Sequence, residues 1–338
     1  MTAPALPLVE RLTALRSDDT SLTNGFTNHL PMTLAALSAL GADAMVLDRF
    51  TAHYRGQVRP LPPAPAAVAS PSLGDGTGYP AWLDFFTGQI ALQGPEQVLA
   101  DWLPALLEGI STAAFHGLIR LAYGVRFACA TEMAGGLAML AAYRTLTPLP
   151  TGVGSTGAAE GLRALAQGTA LAEVRFEQPM IMRRLVEVMR HPAFAAAVSP
   201  LRIEKGADRA WSSLALAATR LYRATADFSA LHLITALHAL QVLWPFMRDH
   251  AACLQRFWFA FCAVYVAIGR PWPMAYADDG PPLDWPTLTQ VALNSTDEHV
   301  IKLVESCHAM AATLDEAESD LPLQLRRCAS LLVRRGHA

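Results

Sequence analysis

The stretch Thr23–Ala42, TNGFTNHLPMTLAALSALGA, decides the fold class. Met32, Leu34, Leu37 and Leu40 recur at helical spacing, and alanines fill the gaps. Thr27 or Asn28 suits the N-cap, and Pro31 fits a first turn, where backbone N–H groups lack helical partners anyway. His29 therefore opens a buried helix, at the end where the helix dipole disfavours an imidazolium. A neutral imidazole there can be a core residue with one hydrogen bond, a metal ligand or a base.

The rest of the chain carries the same period. Alanine and leucine dominate, β-branched runs are scarce, and no hairpin turn joins alternating segments. The 338 residues are 52% hydrophobic and only 16% charged, enough for a sizeable core. The most apolar run, Phe257–Gly269, is bracketed by Arg256 and Arg270 and falls short of the roughly 20 residues a bilayer span needs. It reads as a core helix, so no membrane partner is expected. The first residues, MTAPALPLVERL, lack the charged and apolar regions of a signal peptide. Cys129, Cys253, Cys262, Cys307 and Cys328 form no C-x-x-C pair and read as reduced core residues of a cytoplasmic protein. A net charge of −3 argues against a nucleic-acid partner.

Three proline-rich stretches, 55–80, 146–157 and 269–286, interrupt the helices. They do not separate regions of different composition. The expected architecture is all-α: a single helical bundle-like domain over 1–338 with long Pro-rich loops. Trp272, Tyr276 and Trp285 in the third stretch could cover a flat ligand or only pack the loop down.

Histidines recur in otherwise apolar helices. In AAFHGLIRLAYGVRF, His116 is followed by Gly117, useful where a backbone or ligand must come close, and by Arg120 one turn on. Arg120 could keep the imidazole neutral or bind an anion. In DFSALHLITALHALQVLWPF, capped by Asp227 or Ser229, His232 and His238 are six apart and lie on different faces. In NSTDEHVIKLVESCHAM, Ser295 and Glu298 fit a capping box, and His299 and Lys302 share a face. Glu298 and Lys302 also fit a solvated i, i+4 pair, so the pattern alone puts that face in water unless it lines a wet cavity. Imidazoles from separate helices are how a bundle builds a metal site, and such a site suits zinc, copper, iron or nickel. Gly152–Gly157, GVGSTG, matches G-x-G-x-x-G but lacks the preceding strand a dinucleotide fold requires.

Taken in order, NHLPMTLAALSALGA, WLDFFTGQIALQG, AFHGLIRLAYGVRF, LHLITALHAL and DEHVIKL resemble the questin oxidase-like family from about His29 to about His308. The resemblance implies an all-helical oxygenase acting with dioxygen on polycyclic aromatic ketones of the anthraquinone type, by Baeyer–Villiger-type insertion or ring opening. It implies non-haem Fe(II) for part of the family and NADPH as reductant for some members. It carries over onto His29, His116, His232, and His299 with Lys302, as metal ligands. Lys302 would act as a neutral amine, as a carboxylated lysine offering an oxygen ligand, or as a charge beside the ligands. Two positions depart: Gly117 stands where members often have proline, and Arg126 where an acidic residue is expected. Two other readings compete: a metal-free monooxygenase binding NADPH or flavin at Gly152–Gly157, and a non-catalytic helical protein binding an apolar ligand.

Overall fold

The computed structural model describes residues 6–64, 73–74, 78–203, 206–274, 280–315 and 319–336. Its helices are α1 (Leu6–Ala14), α2 (Leu30–Ala39), α3 (Ala44–Tyr54), α4 (Tyr79–Gln93), α5 (Pro95–Leu106), α6 (His116–Arg126), α7 (Ala130–Ala142) and α8 (Ala158–Gln167). They continue with α9 (Ile181–Arg190), α10 (Pro192–Ala197), α11 (Ala207–Thr225), α12 (Phe228–Leu243), α13 (His250–Ala267), α14 (Trp285–Asn294), α15 (Glu298–Ala311) and α16 (Leu321–Gly336). The sheet among the described residues is one antiparallel pair, β1 (Asp18–Leu22) with β2 (Val58–Pro60). The fold is all-α, as the missing two-residue period predicts.

Aspartates start five of the helices. Asp43, Asp227, Asp249, Asp284 and Asp297 each accept a hydrogen bond from a backbone N–H in the first turn that follows. This corrects the capping box expected at Ser295, which closes α14; Asp297 starts α15 instead. At α2 the N-cap is His29 itself, and Asn28 accepts from the N–H of Leu30.

The core holds α6 against α7 at backbone contact. A Cβ on Gly136 would lie 2.4 Å from the Leu121 nitrogen, and one on Gly117 would lie 3.1 to 3.3 Å from atoms of Leu140. Gly117 thus serves close approach to a neighbouring helix. Gly136→Ala tests this packing: helix propensity favours alanine by about 1 kcal/mol, whereas forced overpacking costs about 1–3. The contact distance makes overpacking win, so a lower urea midpoint is expected. An unchanged or raised midpoint would show that the helices can separate freely.

Four helices form a closed ring: α2 packs on α6, α6 on α12, α12 on α15, and α15 back on α2. The prolines break helices where expected, between α3 and α4, α7 and α8, and α13 and α14. Tyr276 and much of 55–80 lie outside the described residues. Of the loop aromatics, Trp285 stacks on His308 at 4.7 Å and Trp272 is 37% exposed. All five cysteines are buried. Among the described residues one helical stretch, Phe228–Phe246, has the length and hydropathy to cross a membrane, and 67% of it is buried within the protein.

Candidate metal centre

The ring of four helices brings its N-terminal turns together. His29 stands at the start of α2, His116 is the first residue of α6, His232 is in the second turn of α12, and His299 and Lys302 open α15. The ring centroids of His29 and His116 are 4.6 Å apart, His116 and His232 4.8 Å, His29 and His299 4.9 Å, and His232 and His299 5.6 Å. His29, His232 and His299 can each offer a ring nitrogen within 4.8 Å of the other two. The Nε2 of His116 lies 2.6 Å from the Nε2 of His29. All the candidate residues therefore converge from four distant segments.

Three of the four rings are oriented from behind. The Nδ1–H of His116 donates to the Ala113 carbonyl at 2.5 Å, and the Nδ1–H of His232 to the Phe228 carbonyl at 2.8 Å. The Nδ1 of His299 lies 3.4 Å from an Asp297 carboxylate oxygen. In these three rings that pattern leaves Nε2 as the bare lone pair, the tautomer a metal-binding histidine uses, whereas His29 turns its Nδ1 to Lys302. The Nε2 atoms of His232 and His299 are buried and have no hydrogen-bond partner. A buried polar nitrogen without a partner costs about 1–3 kcal/mol, so two side by side call for a ligand.

The turn that presents His116 is strained. Ala113, Ala114 and Phe115 have φ of 51°, 53° and 72°, three successive left-handed residues with side chains. Each such residue costs on the order of 1–3 kcal/mol, a cost that concentrates at functional sites. Nothing in the apolar pattern of AAFHGLIR signals this turn.

Lys302 is 2% exposed, and its Nζ lies 3.1 Å from the Nδ1 of His29. The solvated pairing with Glu298 suggested by helical spacing is therefore overturned: its face points inward. Burial pushes the Lys302 amine down to about 8, with Glu298 and Asp297 opposing the shift. The imidazoles are also held neutral. Burial and then the Lys302 charge lower His29 strongly and bring His116 to about 3. Burial lowers His232 well below its usual range and lowers His299 too, against the pull of Asp297. Four helix N-termini add partial positive charge at the same place, which disfavours imidazolium and favours anions.

These shifts predict acid lability of the metal-free protein. The imidazoles are proton-free in the fold but titrate near 6.5 when unfolded, so stability is complete above that pH and lost as pH falls below it. His29, His116 and His232, fully buried, together contribute a loss of roughly 3 kcal/mol between pH 6.5 and 5.5, about 1 for each. Urea unfolding of chelator-treated protein at the two pH values measures it. An equal midpoint at both would mean the rings are protonated or solvated in the fold.

Other residues resolve differently from the sequence reading. Arg120 does not serve the centre. Its Nε and Nη2 donate to Glu132 at 2.7 and 3.0 Å and its Nη1 to the Tyr79 hydroxyl at 3.1 Å, so its charge is paired within a buried network with Glu132. The positive neighbour of His116 is Lys302. His238 faces away, its Nδ1 3.1 Å from the Ser306 hydroxyl, beside a buried Glu305 that accepts from Tyr123 at 2.7 Å and pairs with Arg126. The unexpected base at Arg126 thus answers an acid on α15. The glycines at 152–157 follow no strand. Gly154 packs on the Leu201 carbonyl, and Glu160 accepts from the Gly157 N–H at 3.1 Å, placing a negative charge where a phosphate would sit. Phe228 was not anticipated as a site residue. Half exposed, it lays its ring 4.7 Å from that of His232 and 4.2 Å from that of His299.

Comparison with known proteins agrees with this geometry. Over 133 residues the chain is 30% identical to "Baeyer-Villiger oxidase AgnL3" of Paecilomyces divaricatus, covering 34% of this chain and 29% of that relative's length. The match to the questin oxidase-like family runs over residues 26–307, which takes in His29, His116, His232, His299 and Lys302. A buried imidazole cluster able to hold a metal is consistent with an oxygenase-type oxidoreductase. With the family match spanning most of its length, the chain belongs to the questin oxidase-like family.

Proposed function

We propose that the chain is an oxygenase that inserts dioxygen-derived oxygen into an aromatic, anthraquinone-type substrate, with Fe(II) held by His29, His116, His232 and His299. The observation that carries the reading is the pair of buried, unpartnered Nε2 atoms on His232 and His299 beside two further imidazoles. Bound ferrous iron would supply one-electron chemistry toward triplet dioxygen, which needs no flavin. The chain's own part is positioning and charge. The Ala113 and Phe228 carbonyls and Asp297 set the ring tautomers. Lys302, at its depressed pKa, can shed its proton, and once neutral it can take up carbon dioxide and offer an oxygen to the metal. Burial excludes water from the imidazole cluster. The chain is taken as a single helical domain.

Protein purified and reconstituted without oxygen should bind one Fe(II) or Co(II) per chain by elemental analysis. Failure to bind either would remove the reading. It would favour a non-catalytic carrier of an apolar ligand, which has no use for unpartnered imidazole nitrogens. Consumption of NADPH by iron-loaded protein with substrate tests the nicotinamide as reductant.

A further inference from the structure

A cleft of about 770 Å³ opens beside the imidazole centre. That is within the roughly 300–1,000 Å³ typical of small-molecule sites. One wall is α9, contributing Met182, Arg183, Val186, Glu187 and Arg190. The opposite wall comes from β1 and the end of α7, with Thr20, Met139 and Tyr143. Thr27 and Ala113 also line the cleft. Ala113 is the residue whose carbonyl orients His116, and Thr27 is two positions before His29. The cleft therefore touches the two segments that lead into α2 and α6 and deliver imidazoles to the centre.

Its charge points to one class of ligand. Arg183 and Arg190 are seven apart on α9, two helical turns, and so share its solvent-facing side, while Leu185, Val188 and Met189 face the core. Both guanidinium groups are exposed at the cleft, and among the described residues no ion pair or hydrogen bond engages either side chain. Glu187 lies between them, so the wall carries a net positive charge. Met139, Met182, Val186 and Tyr143 add an apolar surface to the same cleft.

We infer that this cleft binds the substrate, and that the substrate is an aromatic acid whose anionic group is held by Arg183 and Arg190 while its ring system lies along the methionines toward Ala113. A guanidinium pairs with a carboxylate through a planar fork of donors, which lysine cannot reproduce. The inference depends on the oxygenase reading for what happens to the bound ring system, but not for binding.

The test uses metal-free full-length protein and two probes, anthraquinone-2-carboxylate and its uncharged carboxamide, followed by calorimetry. Wild type should bind the carboxylate at least about tenfold more tightly than the carboxamide, with the preference shrinking as salt rises. Arg183→Ala/Arg190→Ala should lose that preference and leave carboxamide affinity unchanged, and the lysine pair should recover only part of it. Co(II) uptake, measured in parallel, separates this inference from the metal reading: carboxylate selectivity without metal uptake would sink the oxygenase reading alone. Equal binding of the two probes by wild type, or an unaltered preference in the double variant, overturns the inference. So does arginine-dependent binding of NADPH in competition with the carboxylate, which would make the cleft a nicotinamide site.

Discussion

His232→Ala is expected to weaken metal binding more than about 100-fold while leaving the protein folded. Loss of an outer partner of a metal-binding histidine already costs on the order of 10–100-fold, and a direct ligand should cost more. The side chain is 3% exposed, and its Nε2 has no partner to lose. Its removal deletes one hydrogen bond to the Phe228 carbonyl and leaves a small cavity. A comparison within one helix gives the experiment its force. His238 lies six residues along α12, is 6% exposed, and engages Ser306 and Glu305. His238→Ala should cost stability, because it disturbs a buried network containing an ionised Glu305, yet leave Co(II) and Fe(II) affinity near wild type. If both variants lose metal alike, the effect is one of folding. If His232→Ala keeps its metal, the unpartnered nitrogen is a packing feature and the centre lies elsewhere.

His232 also shows how far a sequence can be read. That it sits in a buried helix follows from the apolar residues around it, and that it does not share a face with His238 follows from the six-residue interval. The closure of α2, α6, α12 and α15 into a ring is another matter. Nothing local in NHLPM or AFHG specifies which helix ends meet, because that depends on packing between segments up to 273 residues apart, as for His29 and Lys302. The order of the motifs and their family resemblance supplied what periodicity could not. The left-handed turn at Ala113–Phe115 was hidden for a different reason. Alanine and phenylalanine are not residues that favour positive φ, so strain imposed by the surroundings leaves no compositional mark. Lys302 misled in the opposite direction. Its spacing from Glu298 is that of a solvent-exposed pair, but the helix face that carries both is closed over by α2 and α12.

Lys302→Met is expected to make the metal-free protein more stable and its metal binding weaker. Burial brings the Lys302 amine from 10.5 down to about 8, so at neutral pH the fold carries an ammonium it would rather shed. The shift corresponds to about 3 kcal/mol. Methionine removes that penalty and fills similar space, while the Nδ1 of His29 loses its donor at 3.1 Å, a loss of about 1 kcal/mol. A net gain of roughly 2 kcal/mol at pH 7 remains. The pH dependence identifies the source. Between about 8 and 10.5 the unfolded chain keeps a proton that the folded chain has released, so wild-type stability rises with pH through this window. Below 8 the full penalty applies, and above 10.5 it is gone. Lys302→Met should lack the rise, and denaturant titrations at pH 7, 9 and 10 would show it. Metal binding should move the other way: the variant takes up less iron, and added bicarbonate increases uptake by wild type alone, since only an amine forms a carbamate. A residue kept for packing would give the reverse pattern, with stability lost on substitution and metal content unchanged.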